Sequence, residues 1–204
     1  GKHQNSCGDV WFAGCTWEHH FAWVGPQRDW AAGSGPTPAR LRGMQLHMDC
    51  EPLAFLLGTW QGAGEGEYPT IDGFRYTEEV TFGHVGKPFL AYSQKTKHAE
   101  TGQPLHAETG YLRALGDDRI EFVVVQPSGI VELYQGSVSG AALDLELISV
   151  HTTPGAKSVS DVQRAISVED DGDQAVLKYT VAMAAVGEPL THHLRAVLTR
   201  LPQH

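Results

Sequence analysis

The chain has 204 residues, of which 41% are hydrophobic and 19% charged, and this composition is typical of a globular domain rather than a disordered segment. The formal net charge is −9 and the basic residues form no cluster, which argues against binding to nucleic acid or to an anionic membrane. No apolar stretch reaches the roughly 18 residues that a membrane span needs, and the first residues lack the pattern of a secretory signal. We therefore expect a cytoplasmic protein.

Residues 1–43 differ from the rest of the chain. They contain four of the five tryptophans and two of the three cysteines, show neither a helical nor a strand period, and end in a linker-like stretch of Gly, Ser and Pro. Their cysteines and histidines have the spacing of no zinc module. We expect a poorly ordered extension over 1–43 and a folded domain over 44–204, in which Cys50 is a reduced thiol.

The folded domain begins with a short predicted helix. Asp49 can cap this helix, because a carboxylate at that position accepts hydrogen bonds from the first free N–H groups. Leu53, Leu56 and Leu57 then fall on one face, and Gly58 ends the helix.

Ten strand-like runs follow, and turn sequences such as 127–129 and 170–173 separate them. Several runs alternate between apolar and polar residues, as 142–147 does, which is the pattern of a half-buried strand. Short strands at even spacing predict an all-β antiparallel meander, and closure into a barrel removes its exposed edges. A β-sandwich is the alternative, whereas a ten-stranded barrel is wide enough to hold a ligand. The predicted strands are 59–67, 75–83, 88–97, 106–115, 119–126, 129–136, 141–151, 158–168, 175–186 and 190–200.

The most specific motif lies on the first predicted strand, where glycines alternate with other residues from Gly58 to Gly66. It is not a phosphate-binding loop, because no Gly-Lys-Ser/Thr and no helix follow it. Glycine within a strand indicates close approach by another backbone or by a ligand. Trp60, the only tryptophan of the folded domain, is expected to pack at the floor of the barrel.

This segment resembles the Gly-x-Trp-x-Gly-x-Gly-x-Gly signature of the nitrobindin family, which Tyr-Pro-Thr follows here as in the family. The likeness continues at 74–80, 84–90, 108–113 and 183–194, and it is closest to the short bacterial members. The resemblance implies a ten-stranded up-and-down barrel of the fatty-acid-binding-protein-like (calycin) type, with a ferric haem b at its mouth. It also implies that the protein binds nitric oxide and isomerises peroxynitrite to nitrate.

The resemblance further implies which residues bind the haem. The axial iron ligand of the family is the histidine of the final His-Leu pair, which falls on His193. The threonine of Tyr-Pro-Thr, which contacts the haem, falls on Thr70. A lysine before the eighth strand corresponds to Lys157, although loop lengths nearby differ. No catalytic residue beyond the haem iron is implied.

Strand alternation conflicts with the choice of His193. Leu194, Ala196 and Leu198 lie on one face of the last strand together with His192, so alternation alone points His192 towards an apolar interior. A β-bulge at the start of the strand would add one residue and so turn His193, rather than His192, towards the interior. His192 therefore remains the alternative ligand.

A haem-free carrier of fatty acids or other small apolar ligands is the competing function, since a fold alone does not determine function. Such carriers hold a carboxylate with interior Arg or Tyr side chains, and Tyr111, Arg113 and Arg195 are the candidates.

Glu78 and Glu79 are interpreted as a charged pair on a solvated or salt-bridged face. We also expect that the chain pairs as a homodimer.

Overall fold

A computed structural model describes residues 44–202, apart from 171 and 173; the predicted extension over 1–43 lies outside the described residues. Ten strands form one closed antiparallel barrel, in which β1 pairs with both β2 and β10. The predicted barrel is thus confirmed, and the sandwich is excluded. The strands are β1 (Gly58–Tyr68), β2 (Ile71–His84), β3 (Phe89–His98), β4 (Pro104–Ala114), β5 (Arg119–Val125), β6 (Ile130–Ser139), β7 (Ala142–Thr152), β8 (Val159–Asp170), β9 (Ala175–Ala185) and β10 (Thr191–Arg200).

The predicted strands agree with the observed ones to within a few residues. The largest difference is at β2, which begins at Ile71 rather than at residue 75. Tyr68 and Ile71 are direct register partners, so that only Pro69 and Thr70 remain in the turn between β1 and β2.

The predicted helix exists, but it is a 3-10 helix over Met48–Leu56 and its N-cap is His47. The prediction that Asp49 caps it is wrong, because the ring of His47 accepts the hydrogen bond from the Asp49 backbone N–H at 3.2 Å. Leu53 and Leu56 are fully buried. Among the described residues, no helix has the length and apolar character needed to cross a membrane.

This helix plugs one end of the barrel. Cys50, Leu53 and Leu56 belong to the main apolar core together with Trp60, and Cys50 is a free, buried cysteine. The Trp60 indole donates a hydrogen bond of 2.8 Å to the Leu56 carbonyl, while the Arg200 guanidinium lies 4.5 Å from the ring centroid. Trp60 therefore forms the floor of the barrel, as expected.

The glycines of β1 make room for neighbours inside the barrel. Gly64 and Gly66 are register partners of Tyr76 and Phe74 on β2, and a Cβ atom on either glycine would overlap the aromatic ring of its partner. A Cβ on Gly62 would instead overlap the backbone of β10. The sequence motif thus reflects close approach by aromatic side chains and by backbone.

The closed barrel is only sparsely paired between β7 and β8. β7 and β8 share only the register pairs Ala142–Ser167 and Leu143–Ile166, and beyond these pairs the two strands diverge. A cleft of about 460 Å³ lies there, lined in part by Leu145, Leu147 and Arg164.

We predict that Gly64→Ala lowers the free energy of unfolding by about 1–3 kcal/mol, the usual cost of overpacking a filled interior. Gly83→Ala is the matched control, because Gly83 also lies within a strand but a Cβ there meets nothing within 4 Å. Urea unfolding monitored by circular dichroism gives both values. Equal stability of the two variants would contradict the packing role of Gly64.

Candidate functional site

A β-bulge in β10 turns His193 into the barrel. His192 pairs with Ala182 and Leu194 pairs with Val181, so that His193 is an extra residue between two consecutive pairs. His193 is 3% exposed, whereas His192 is exposed. The prediction from simple alternation that His192 faces the interior is therefore wrong, because the bulge shifts the alternation by one residue.

The ring of His193 is held in one orientation. Its Nδ1 lies 3.0 Å from the backbone oxygen of Glu67. A carbonyl oxygen can only accept a hydrogen bond, so Nδ1 carries the proton and Nε2 carries the lone pair of the neutral ring. Burial lowers the pKa of His193, which favours the neutral form that binds metals.

An apolar cluster surrounds His193 at the end of the barrel opposite the helix. The ring of Tyr68 meets the His193 ring edge-on, with 5.3 Å between centroids. The Tyr68 hydroxyl accepts from the Ala185 N–H at 2.9 Å and donates to the Met183 carbonyl at 3.1 Å, which fixes the phenol between β1 and β9. The other buried members are Val162, Val181, Met183 and Ala185.

Thr70 and Lys157 lie at the same end of the barrel as His193, and both are exposed. Thr70 is in the turn between β1 and β2, two residues after Tyr68. Lys157 is in the loop before β8, whose first residue, Val159, pairs with Ala185. The fold thus brings all three predicted haem-binding positions to one rim.

These residues suit a haem. They offer one buried neutral imidazole with a set tautomer and an apolar wall, with the polar side chains of Thr70 and Lys157 at the rim. Over residues 44–202, apart from 171 and 173, no group of three or more His, Cys, Asp or Glu side chains could hold a bare metal ion. A single histidine is sufficient for haem iron, because the porphyrin supplies the other ligands.

A layer of buried polar side chains separates this end from the plugged end. The Arg164 guanidinium contacts both carboxylate oxygens of Glu108, at 2.7 and 3.0 Å, and both of Glu132, at the same two distances. Tyr92 donates to Glu108 at 2.9 Å and Tyr134 to Glu132 at 2.7 Å. Burial alone would raise the pKa of Glu108, but the charges and hydrogen bonds of Arg164 and His106 together hold that pKa well below the ordinary value.

Glu78 belongs to the same layer. It accepts hydrogen bonds from Gln94 at 2.5 Å and from Tyr179 at 2.8 Å, and burial raises its pKa to about 7. The interpretation of Glu78 as part of a solvated face is therefore wrong. Glu79, in contrast, is half-buried and accepts a hydrogen bond from the surface residue Gln61 at 2.8 Å.

Sequence reasoning missed this polar layer, although a signal was present. Glu78, Glu132 and Arg164 each stand between two apolar residues at spacing two on a predicted strand, as in Val162-x-Arg164-x-Ile166. Alternation therefore places all three charges on the inward face.

The interior of the barrel offers little room for the fatty acid of the competing function. The cavity within the polar layer measures only about 20 Å³, which is room for about one water molecule. The three side chains predicted to hold a carboxylate point outwards: Tyr111 is 54% exposed, Arg113 forms a surface ion pair with Glu121, and Arg195 forms one with Glu65.

We predict that His193→Ala weakens haem binding by at least about a hundredfold, which exceeds the typical loss from an outer-shell partner. His192→Ala is the matched control and should bind haem as the parent chain does, because its side chain lies outside the barrel. Titration with hemin, monitored by the Soret band, measures both affinities. Retention of the band by His193→Ala, or its loss in His192→Ala, would contradict the placement of the ligand.

Known proteins resemble the chain over the whole barrel. The model of the family described as "THAP4-like, heme-binding beta-barrel domain" matches residues 49–200. A protein of Mycolicibacterium paratuberculosis (strain ATCC BAA-968 / K-10) named peroxynitrite isomerase 1 is 54% identical over 159 residues, which cover 76% of this chain and 96% of the relative. A peroxynitrite isomerase of Nocardia farcinica (strain IFM 10152) is 46% identical over 174 residues, or 83% of this chain and 99% of the relative.

A solved structure agrees with the fold. The crystal structure of Rv2717c from M. tuberculosis has a TM-score of 0.70 and 45% identity, and the match covers 78% of this chain and 100% of that one. The family match covers most of the chain, including all ten strands. The chain therefore belongs to the THAP4-like haem-binding β-barrel family, the nitrobindin family that its sequence motifs indicated.

Proposed function

We propose that the protein binds ferric haem b through His193 and isomerises peroxynitrite to nitrate, and that nitric oxide binds at the same iron. The observation that carries this proposal is the inward-facing His193, whose Nδ1 donates a hydrogen bond to the Glu67 carbonyl. The two relatives named peroxynitrite isomerase, at 54% and 46% identity, support the reaction.

The residues of the chain hold and enclose the cofactor. The Glu67 carbonyl orients the His193 ring and raises the basicity of Nε2. Val162, Val181 and Met183 would shield the cofactor from water on the side of the barrel interior, while Thr70 and Lys157 would hold it from the rim. Ferric haem supplies a Lewis-acidic iron towards a peroxide oxygen. The isomerisation moves no proton overall, so no side chain has to act as acid or base.

We predict that the haem-loaded protein accelerates the decay of peroxynitrite in proportion to its concentration, with nitrate as the product. Stopped-flow absorbance follows the decay, and ion chromatography measures nitrate against nitrite. The haem-loaded His192→Ala variant should behave like the parent chain. The proposal fails if the loaded protein leaves the decay rate at the value that free buffer gives.

We further propose a homodimer through the outer face of β3–β6. Ala91, Tyr111, Val123 and Leu133 are successive register partners across these strands, and each stands between two inward-facing neighbours. They form an apolar row that a second copy would cover. Sedimentation velocity should show a dimer that Tyr111→Glu dissociates.

Val197→Glu is the control for the dimer, since Val197 is likewise 54% exposed but lies on β10. It should leave the dimer intact. A monomeric parent chain would contradict the proposal.

We propose a cytoplasmic location as well. The free thiol of Cys50 supports it, because thiols stay reduced in that compartment. Cell fractionation tests this location, and recovery of the protein outside the cytoplasmic fraction would contradict it.

A further inference from the structure

Gln94 presents an unsatisfied oxygen to the interior of the barrel. Its Nε2 donates to Glu78 at 2.5 Å, whereas its Oε1 is buried and has no hydrogen-bond partner among the described residues. Gln94 as a whole is 4% exposed. A buried amide oxygen without a donor is costly, and this one belongs to a residue that lines the cavity of about 20 Å³.

Arg164 lines the same cavity, and its guanidinium has more N–H groups than the ion pairs with Glu108 and Glu132 use. A guanidinium has five N–H groups, and the hydrogen bonds to Glu108 and Glu132 use one on Nε, one on Nη1 and two on Nη2. These four bonds do not involve the second N–H of Nη1. The cavity thus has one buried acceptor and one buried donor in its wall, and its volume is sufficient for a water molecule.

Arg164 also lines the cleft between β7 and β8, where the two strands share only two register pairs. Thr180 also lines both, so that Arg164 and Thr180 form the wall that the internal cavity and the cleft share. Tyr179 lines the cavity as well, and its hydroxyl contacts both Glu78 and Tyr76 at 2.8 Å.

We propose that a water molecule occupies this cavity, bridges Arg164 and Gln94, and exchanges protons between Glu78 and the β7–β8 cleft through the hydroxyl of Tyr179. In the inward step the water gives a proton to the Tyr179 oxygen while Tyr179 gives its own proton to the Glu78 carboxylate. The hydroxide left in the cavity takes a proton from water in the cleft. Each oxygen on the path gains and loses one O–H bond, so the path needs no other reactant.

The surroundings of Glu78 allow both of its charge states at neutral pH. Burial raises its pKa to about 7, whereas the hydrogen bonds from Gln94 and Tyr179 act in the opposite direction. The carboxyl is therefore protonated below neutral pH and ionised above it. The titratable groups that face it are Tyr76 on β2, Tyr92 on β3, Glu108 on β4, Arg164 on β8 and Tyr179 on β9.

Infrared spectroscopy of the haem-loaded full chain tests the proton site. We expect one buried carboxylic acid band that is present at about pH 5 and lost by about pH 9, that Glu78→Gln removes and that Glu79→Gln retains. Failure of this band to titrate, or its persistence in Glu78→Gln, would overturn the proposal.

The rate of hydrogen–deuterium exchange at that carboxyl tests the path. Tyr179→Phe should slow the exchange at least tenfold, because the relay hydroxyl is gone. Tyr134→Phe is the matched control, since Tyr134 is a buried tyrosine of the same layer that donates to Glu132 and does not line the cavity; it should exchange as the parent chain does. Equal rates in the two variants would overturn the path.

A high-resolution crystal structure of the unmodified protein tests the water site without any substitution. We expect one ordered water within hydrogen-bond distance of Gln94 Oε1 and Arg164 Nη1, and a dry cavity would overturn the proposal. None of these measurements depends on turnover of peroxynitrite, so their failure can be distinguished from failure of the proposed reaction.

Discussion

One extra residue in β10 determines what the open end of this barrel can bind. On a regular strand, His192 would share a face with Ala196 and Leu198, and His193 would point to solvent. The bulge reverses this arrangement at the start of the strand without disturbing the pairing of β10 with β1. It places a single imidazole against an apolar wall, with the Glu67 carbonyl setting its tautomer. The inward position of the proposed haem ligand thus depends on a local departure from strand geometry.

The rest of the interior is built around that end. The 3-10 helix and Trp60 close the opposite end, and the layer around Arg164 fills the middle with hydrogen-bonded charge. Two carboxylates share one guanidinium, and Glu78 is held by neutral donors. The cavity within the polar layer has room for about one water molecule and not for a fatty acid. The proposed haem site lies at the His193 end, whereas Arg164 of the polar layer also lines the cleft between β7 and β8.

The sequence was sufficient to predict the barrel and its ten strands. Each strand buries one face, and this burial produces the alternation of apolar and polar residues. The loops are short, so turn residues mark where each strand ends. The resemblance identified His193, whereas alternation preferred His192, since a bulge leaves no mark in a pattern of period two. Glu78 was misplaced for another reason. Two adjacent glutamates resemble a charged surface, and this pattern hid the inward position that alternation gives to Glu78. Its partners on β3 and β9, which are remote in sequence, show that it is buried. Similarly, the packing role of Gly64 and Gly66 becomes visible only when their register partners on β2, Tyr76 and Phe74, are known.

The crystal structure of the haem-loaded protein tests the central claim most directly. The account predicts that the iron is bound by Nε2 of His193, while Nδ1 keeps its hydrogen bond to the Glu67 carbonyl and Thr70 and Lys157 lie beside the cofactor. Iron bound by His192, or a haem placed away from the Tyr68–Met183 end of the barrel, would contradict it.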